Sequence, residues 1–557
     1  MTNLDYVVMG VFAVLILGIG MAFTRSGSKS SNSYFEAGGE TPWWINGLSL
    51  FISYFSAGTF VVWGSIAYKH GFVANGIQLT MVFAGFFVAV FIAGKWKKTG
   101  SITAAEYIGR RFGTKTQQFY TLLIMIYSLV STAAVLYPVG KMINVVTDLP
   151  INICILVIGG IIVLYTAAGG LWAVLVTDVV QFVILTAAVL IVIPLALHHV
   201  GGMNSFVQRA PDRFFELLNP EYSAGFFLAF MAYQIVYIGG NWAYVQRYTS
   251  VSSVANSRKV AYLFTGLYLV SPFIWMLPPM IYRVLNPGLT GLQPEGAYMM
   301  ISQLVLPAGL IGLVLSGMVS ATASKANTTI NLVAVVFAHD VYKKIIRPHA
   351  TEKNLISAAR IFTVFFGILT IIIAMLVPLV GGIVEMVLST ASIAGGALFA
   401  PIIWSLYSKR QSATSVVLAS LAGLIISLFF KIAAPALLDI RLTRVWETAL
   451  GVCIPLFVLL LAEIFNKQQV ANVVQESQTS GIEEKPNVTK ASHHQSQKQN
   501  IFGIKVIAIS IGIVGVGVFS LGFTANQGVV AMIVGGIIAL AFLPIWRSAL
   551  KIQRTII

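Results

Sequence analysis

The chain has 557 residues, of which 57% are apolar and only 10% are charged, and its mean hydropathy is +0.86. Soluble chains are about a quarter charged, so this composition excludes ordinary cytosolic enzymes, coiled coils and secreted disulfide scaffolds, and predicts an integral membrane protein. Cys154 and Cys453 both lie in apolar segments and indicate neither a disulfide framework nor a metal site.

Apolar runs of roughly 20 residues recur along the chain and predict about fifteen membrane-spanning helices. Strand-like alternation is too weak for a barrel, so the predicted fold class is all-α and polytopic. The predicted spans are 4–24, 45–68, 72–95, 118–146, 151–168, 173–199, 223–246, 259–284, 305–340, 356–379, 382–406, 413–436, 444–466, 501–523 and 527–548.

Basic residues are distributed unevenly between the predicted loops. Asp5 precedes the first span, whereas Arg25 and Lys29 follow it, which predicts an amino terminus outside the cell and excludes a cleaved signal peptide. With that start, about 26 Lys and Arg residues, Arg247 among them, lie inside and about 8 lie outside. The net charge of +16 is therefore an orientation signal and requires no nucleic-acid partner.

One long polar stretch, 467–500, is rich in Gln, Ser, Asn and Lys and predicts a flexible cytoplasmic linker, in which His493 and His494 are interpreted as solvated. Residues 501–557 then supply two last helices and a cytoplasmic tail. The sequence lacks a phosphate-cradling G-x-x-x-x-G-K-[ST] loop, an H-E-x-x-H pair and a G-x-S-x-G elbow. These absences disfavour an ATP-driven pump and an enzyme, and leave a secondary transporter or a channel.

Spans two to six (45–200) and seven to eleven (223–406) form two units of five. An odd number of spans makes the second unit start on the opposite side of the membrane, which predicts an inverted repeat. Small residues predict a break in the first helix of each unit, at 53–58 and at 239–241. Such paired breaks favour a substrate site at the bilayer midplane, although small residues also permit close helix packing.

Five segments, in chain order, carry a specific resemblance. They are 34–71 (containing FSAGTFVVWG), 103–113 (TAAEYIGRRFG), 165–182 (YTAAGGLWAVLVTDVVQF), 241–247 (NWAYVQR) and 320–344 (SATASKANTTINLVAVVFAHDVYKK). Together they resemble the sodium/solute symporter family over about 4–466. The resemblance implies a ten-helix inverted repeat with flanking helices, here the segment 1–44 and the two spans in 407–466.

The resemblance also implies a sodium site between the break of the first core helix and the eighth core helix. The corresponding groups are the carbonyls of Ile52, Phe55 and Gly317 and the hydroxyl of Ser320, and oxygen ligands suit a hard cation. The family places a buried acid, here Asp178, near a second sodium site. Positions matching Ser320 and Ser324 accompany it there.

Two residues depart from the family pattern. Ala321 replaces a second hydroxyl, and Lys325 stands four residues further on, where an apolar residue is usual. An intramembrane lysine costs roughly 2.5–3.5 kcal/mol unless it is paired or wetted, so it indicates a function. Either Asp178 helps to hold a cation while Lys325 faces the cytoplasmic vestibule, or Lys325 pairs with Asp178 and its ammonium replaces a sodium ion. Retained sodium coupling is favoured because the other ligands survive.

The resemblance places a substrate pocket at six neutral residues: Thr59, Gln78, Asn241, Trp242, Tyr244 and Tyr268. Hydroxyl, amide and aromatic groups suit a sugar or polyol. However, sugar-transporting members carry a lysine at the position of Tyr268 and a glutamine at that of Thr59. A monocarboxylate or an amino acid remains the alternative, bound by amides freed at the helix breaks.

The sequence therefore predicts an inner-membrane symporter that uses sodium as coupling ion and works by alternating access. Its partners are a small-molecule solute and the lipid bilayer, with no obligate protein partner evident. A sodium-independent or proton-coupled transporter is the alternative. A channel would not need paired broken helices, and a receptor on this scaffold would ordinarily carry a signalling domain.

Overall fold

The structure, a computed structural model, describes residues 1–27, 41–101, 104–165, 171–337, 342, 347, 352–466, 490–523 and 528–556, and these contain helices but no strand. Consecutive helical segments that are joined through a π or other irregular turn are given as one helix. The helices are α1 Asn3–Gly27, α2 Trp43–Tyr54, α3 Thr59–His70, α4 Val73–Lys98, α5 Ala104–Phe112, α6 Thr114–Thr147, α7 Ile151–Tyr165, α8 Leu171–Val200, α9 Gly202–Arg209, α10 Ala224–Gly240, α11 Trp242–Thr249, α12 Val254–Leu285, α13 Ala297–Val305, α14 Leu310–Val336, α15 Glu352–Leu376, α16 Ile383–Ser405, α17 Ala413–Leu437, α18 Arg444–Phe465, α19 Lys490–Gly522 and α20 Val529–Ile556.

Many of these helices are long and apolar enough to cross a bilayer. Ten pass that test within the described residues, or up to twelve if each of two bent pairs is one span. Three shorter apolar helices are present as well, Asn3–Ile16, Ile151–Val163 and Leu310–Ala326. The all-α polytopic fold is thus confirmed, while the count of about fifteen spans stays a prediction.

Two spans are broken where the sequence predicts a break. α2 and α3 meet at an angle of 52°, and α10 and α11 meet at 57°. The broken pairs begin two sets of core helices, α2 to α8 and α10 to α16, with the short α5 and α13 inserted. Residues 166–170, which hold the glycine pair of the third motif, lie outside the described residues.

The packing of α8 sets the position of the functional residues. It lies against α2 on one side and α14 on another, while α12 covers α2 and α6 covers α14. α8 and α14 approach closely because Gly317 has no side chain: a Cβ there would meet Ile184 at 3.0 Å and Leu185 at 3.2 Å. Small residues at such contacts are typical of helices that pack within a membrane.

Helix α1 supports α14 from outside the core. The Asp5 carboxylate accepts hydrogen bonds from the backbone N–H groups of Gly309 (2.8 Å) and Gly312 (3.0 Å). These N–H groups have no helical acceptor at the beginning of α14, so the carboxylate caps that helix. A Cβ at Gly312 would lie 2.2 Å from the Asp5 carbonyl oxygen, so the two backbones are in direct contact.

Within the helices bounded above, four contain a complete π-helical turn, a single wider turn in an otherwise α-helical span. The turns are Thr59–Trp63 in α3, Val88–Ile92 in α4, Ala391–Gly395 in α16 and Phe429–Ala433 in α17.

Some local features differ from the sequence-based predictions. The short helices α5, α9 and α13 were not predicted, because each has eight or nine residues, too few for an apolar span. The predicted linker 467–500 is helical over its last part, since α19 begins at Lys490. Residues 467–489 lie outside the described part of the chain.

Candidate functional site

The first helix break leaves two carbonyls without their helical partners. In an unbroken helix the Ile52 carbonyl would accept from Ser56 N and the Phe55 carbonyl from Thr59 N. Instead, Ser56 N donates to Thr59 Oγ1 at 3.3 Å, and Thr59 N donates to the Ser56 carbonyl at 2.9 Å. Among the described residues, no hydrogen bond to the carbonyl oxygen of Ile52 or of Phe55 replaces the lost ones. Both predicted sodium-ligating carbonyls are therefore free to accept a cation.

Thr59 has a structural role that the sequence did not predict. Besides accepting from Ser56 N, its hydroxyl donates to the Tyr54 carbonyl at 3.2 Å, so it joins the end of α2 to the beginning of α3. Thr59 also lines a cavity at the break. Thr59, which the sequence predicts to bind substrate, thus also stabilises the conformation of the break.

At the second break, side chains of the protein donate to two carbonyls, those of Ile238 and Gly239. Asn241 caps α11 by accepting from Ala243 N at 3.0 Å, which removes the helical partner of the Gly239 carbonyl. The Trp96 indole donates to that carbonyl at 2.7 Å instead. A Cβ at Gly240 would meet the Phe399 Cβ at 2.7 Å, so close packing and a chain break coincide here. At the first break, by contrast, no side chain within the described residues donates to the Ile52 or the Phe55 carbonyl, which favours that break as the cation site.

Helices α8 and α14 face each other through polar side chains. Gln181 Nε2 donates to Ser320 Oγ at 2.9 Å, so the predicted ligand Ser320 lies against α8. One turn before Gln181 on α8, Asp178 is buried, and Ser324 on α14 hydrogen-bonds its carboxylate. The structure therefore brings Asp178 and Ser324 together, as the resemblance implies.

The cation beside Asp178 is Arg247, not Lys325. Arg247 Nη2 lies 3.9 Å from Asp178 Oδ2, and only 3% of the arginine side chain is exposed. Ser49 connects the two, since its hydroxyl donates to Asp178 Oδ2 at 2.5 Å and accepts from Arg247 Nε at 3.2 Å. Counting Arg247 as a loop residue was wrong: it lies near the end of the broken helix α11 and points inward.

Two cavities lie next to the breaks. The aspartate cavity is lined by Ile52, Ser53, Ile124, Tyr127, Ser128, Ser131, Asp178, Tyr237, Asn241, Trp242, Ala243, Tyr244, Arg247, Ala321, Ser324, Lys325, Thr329 and Phe399. The tyrosine cavity is lined by Tyr54, Ser56, Gly58, Thr59, Val62, Trp63, Met81, Tyr127, Ser131, Ala134, Val135, Phe230, Tyr233, Gln234, Tyr237, Tyr244, Tyr268, Lys325, Val387, Thr390 and Ala391.

The predicted substrate residues divide between these cavities. Asn241 and Trp242 line the aspartate cavity, Thr59 and Tyr268 line the tyrosine cavity, and Tyr244 lines both. Gln78 lines neither; it is buried on α4, and its amide nitrogen has no hydrogen-bond partner among the described residues. The predicted ion ligands Phe55, Gly317 and Ser320 also lie outside the two linings.

Comparison with known proteins agrees with this architecture. The sequence model of the sodium:solute symporter family matches residues 34–423. A sodium/glucose cotransporter of Vibrio parahaemolyticus is 25% identical over 77% of this chain and 85% of its own length. The sodium/sialic acid symporter NanT of Aliivibrio fischeri is 26% identical over 76% and 86%, respectively.

Among solved structures, a Na⁺-coupled sialic acid symporter in a substrate-bound, outward-open state is similar to this fold. It has a TM-score of 0.69 and 20% sequence identity, and the match covers 85% of this chain and 99% of that one. The resemblance found in the five motifs is thereby confirmed. The chain belongs to the sodium:solute symporter family.

Proposed function

We propose that the chain uses sodium bound at the first helix break to drive the uptake of a small polyhydroxylated solute by alternating access. The observation that carries this proposal is the pair of carbonyls, Ile52 and Phe55, that the break leaves without donors. Together with the carbonyl of Gly317 and the hydroxyl of Ser320 they would supply four oxygen ligands without a net charge. Sodium would then stabilise the substrate-binding conformation by binding it more tightly than the other.

The sodium gradient supplies the energy for this cycle. One charge moving through the membrane potential contributes about 2.3 kcal/mol per 100 mV, in addition to the concentration term. Because Arg247 already lies beside Asp178, we propose a single sodium ion, with Asp178 joining α2, α8 and α11 instead of holding a second ion.

A sugar or polyol is the proposed class of solute. The relatives are named for glucose and sialic acid, and the cavities combine aromatic faces with neutral hydrogen-bonding groups. Thr59, Asn241, Tyr244 and Tyr268 are the proposed contacts, with Trp242 beside them. Gln78 would reach the solute only after a movement of α4.

A sodium-independent transporter is the second candidate, and Lys325 is the observation behind it. Its ammonium would replace the sodium ion if it paired with Asp178. No ion pair within 4.0 Å joins Lys325 to a carboxylate in the described part of the chain, which favours sodium coupling. Two results together would support this second candidate. Uptake by the wild type would not depend on sodium, and uptake by Lys325→Met would.

We also propose the membrane orientation: amino terminus outside, carboxy terminus in the cytoplasm, in a cell inner membrane. The excess of Lys and Arg in the inside loops supports it and survives the removal of Arg247 from the count. The proposed organisation is an N-terminal helix and loop (1–44), two five-helix repeats (45–200 and 223–406), two flanking helices (407–466), a linker and a C-terminal hairpin.

Uptake into proteoliposomes tests the transport proposal directly. Labelled sugars, polyols, carboxylates and amino acids would be supplied with an inward gradient of sodium, potassium or protons. Accumulation of one class that requires sodium is the expected result. Accumulation driven equally by potassium, or by protons alone, would contradict sodium coupling.

Ser320→Ala tests the proposed ion site within that assay. Loss of one oxygen ligand should raise the sodium concentration for half-maximal uptake about tenfold, which corresponds to about 1.4 kcal/mol. Ser316→Ala is the matched control, because Ser316 lies one turn earlier on α14 and its hydroxyl donates only to the Gly312 carbonyl. Equal sodium dependence in the two variants would remove Ser320 from the site.

A further inference from the structure

Lys325 occupies the wall between the two cavities. It is one of five residues that line both, the others being Tyr127, Ser131, Tyr237 and Tyr244. It lies on α14, one turn beyond Ala321, in a stretch of the helix that is rich in serine and threonine. A solute bound at either break would therefore face this side chain.

Among the described residues, no carboxylate close to Lys325 balances its ammonium. The charged residues that line the cavities are Asp178, Arg247 and Lys325, and the first two neutralise each other at 3.9 Å. Within the described ranges, no carboxylate lies within 4.0 Å of Lys325. The cavities thus carry one uncompensated positive charge, and a bound sodium ion would add a second.

Neutral hydrogen-bonding groups surround this charge. Six tyrosines line the tyrosine cavity: Tyr54, Tyr127, Tyr233, Tyr237, Tyr244 and Tyr268. Gln234 lines it too, and the Gln234 amide oxygen and the Tyr54 hydroxyl are both buried without a hydrogen-bond partner in the residues that the structure describes. Phenol groups can donate to solute oxygens, and their rings can pack on a carbon skeleton, without introducing a competing charge.

We infer that Lys325 binds the carboxylate of the transported solute, which makes the substrate an acidic sugar, such as a uronic or aldonic acid, rather than a neutral one. The inference rests on the proposed function, because it identifies the substrate class of the same site. An anion is the natural partner for an ammonium within a membrane-spanning helix, and its negative charge offsets the charge that sodium brings into the cavity. The hydroxyl groups of the sugar form hydrogen bonds with the tyrosine phenols and with the amide oxygen of Gln234.

Matched pairs of acids and neutral analogues test this inference. Glucuronate and glucose, and gluconate and sorbitol, would be offered to the purified protein in sodium, with thermal stabilisation measured for binding and proteoliposome uptake for transport. We expect one acid of a pair to bind at least 100-fold more tightly than its neutral analogue. Equal or tighter binding of the neutral member in both pairs would overturn the inference, and so would the absence of stabilisation by either acid.

Variants of Lys325 test whether this residue causes the preference for the acid over its neutral analogue. Lys325→Met should lower the affinity for the acid about 100-fold and leave or improve that for the neutral analogue, whereas Lys325→Arg should remain within about tenfold of the wild type. Lys505→Met, which removes a lysine that bonds to Gln553 away from the cavities, is the control and should bind both as the wild type does. Unchanged acid affinity in Lys325→Met would overturn the inference; if that variant does not fold, the wild-type pairs and Lys325→Arg still decide.

The same experiment separates this inference from the transport proposal. Sodium-driven accumulation of glucose or sorbitol, without binding of either acid, would leave the transport proposal standing and overturn the role of Lys325. Tight binding of an acid without sodium-driven accumulation would support the role of Lys325 and contradict the transport proposal. Sodium chloride and the sodium salts of the acids would also be compared at the same sodium concentration. Equal stabilisation by chloride and by the acids would overturn the inference, because the site would then accept a simple anion.

Discussion

At the scale of single residues, the most consequential contact is the buried pair of Asp178 and Arg247. Charges removed from water are costly unless they are paired and hydrogen-bonded, and here Ser49 bridges the two. The pair connects three helices: α2 through Ser49, α8 through Asp178 and α11 through Arg247. Its first effect is therefore to fix the second half of one broken helix against the first half of the other.

A double-mutant cycle tests this coupling. Arg247→Met and Asp178→Asn should each destabilise the protein by about 3–5 kcal/mol, because each leaves an unpaired buried charge. The double variant should lose clearly less than the sum of the two. The measurement is thermal unfolding in detergent, with Ser49→Ala as a milder third variant. Strictly additive losses would show that the two charges do not interact.

The sequence revealed one member of this pair and concealed the other. Asp178 is conspicuous because it is an acid within a long apolar helix. Arg247 lies at the end of a helix of only eight residues, Trp242–Thr249, and an arginine beside a short half-helix cannot be distinguished from a positive-inside loop residue. The sequence could not show that α10 and α11 meet at 57° or that Arg247 is buried in the protein interior.

At the scale of helices, the breaks could be located from sequence but their hydrogen bonds could not. Small residues at 53–58 and 239–241 predict where the chain departs from the helix. Which carbonyls remain free depends on distant side chains, such as Trp96, which donates to Gly239 across 143 positions of sequence. Whether a given carbonyl at a break is satisfied or free is therefore a property of the tertiary structure.

The beginning of α16 depends on a buried carboxylate outside the membrane spans. Glu295 Oε1 accepts from Ile383 N at 3.0 Å, and Oε2 accepts from the Tyr137 hydroxyl at 2.7 Å. Burial raises the pKa of Glu295 above its usual 4.5, although the bond from Tyr137 opposes this. The folded protein therefore binds the Glu295 proton more tightly than the unfolded chain does.

This raised pKa predicts a pH dependence with a definite sign. An acid with a raised folded pKa contributes stability at low pH that is lost as the pH rises from about 4.5 through the folded pKa. Glu295→Gln keeps an acceptor for Ile383 N and does not titrate, so its thermal stability should improve relative to the wild type as the pH rises. A pH-independent difference in melting temperature between the two proteins would contradict this prediction.

At the scale of the whole molecule, helices outside the two repeats support the packed pair α8 and α14. α1 lies against both, and α19 packs on α8 and touches α1. Leu521 of α19 and Leu4 of α1 meet at Gly309, which precedes α14. The C-terminal hairpin is therefore part of the bundle rather than an addition beside it.

Truncation tests the contribution of that hairpin. Removal of residues 467–557 should lower the unfolding midpoint in detergent by about 5 °C, because α8 loses the packing of α19. Removal of 523–557 alone should cost less, since α20 is largely exposed to lipid while α19 is mostly buried. Equal losses from both truncations would mean that α20, not α19, stabilises the core.

The repeat organisation could be predicted from sequence because it depends on counting apolar runs. Helices α5, α9 and α13 could not be predicted in the same way, since they are short and owe their stability to packing against the bundle. The mutual orientation of the two repeats also needs contacts between distant residues, as at Gly240 and Phe399.

The π turn in α16 has a consequence for specificity. It covers Ala391–Gly395, and the tyrosine cavity is lined by Thr390 and Ala391 at its beginning. A π turn holds one residue more than the α turn it replaces, and each residue of an α-helix advances the helix by about 100°. Sliding the turn along α16 by one position would therefore rotate a different side chain toward the tyrosine cavity, while the residues at both ends of the helix kept their orientations. The side chain that α16 presents to the cavity could thus change without a hinge and without any change in the length of the helix.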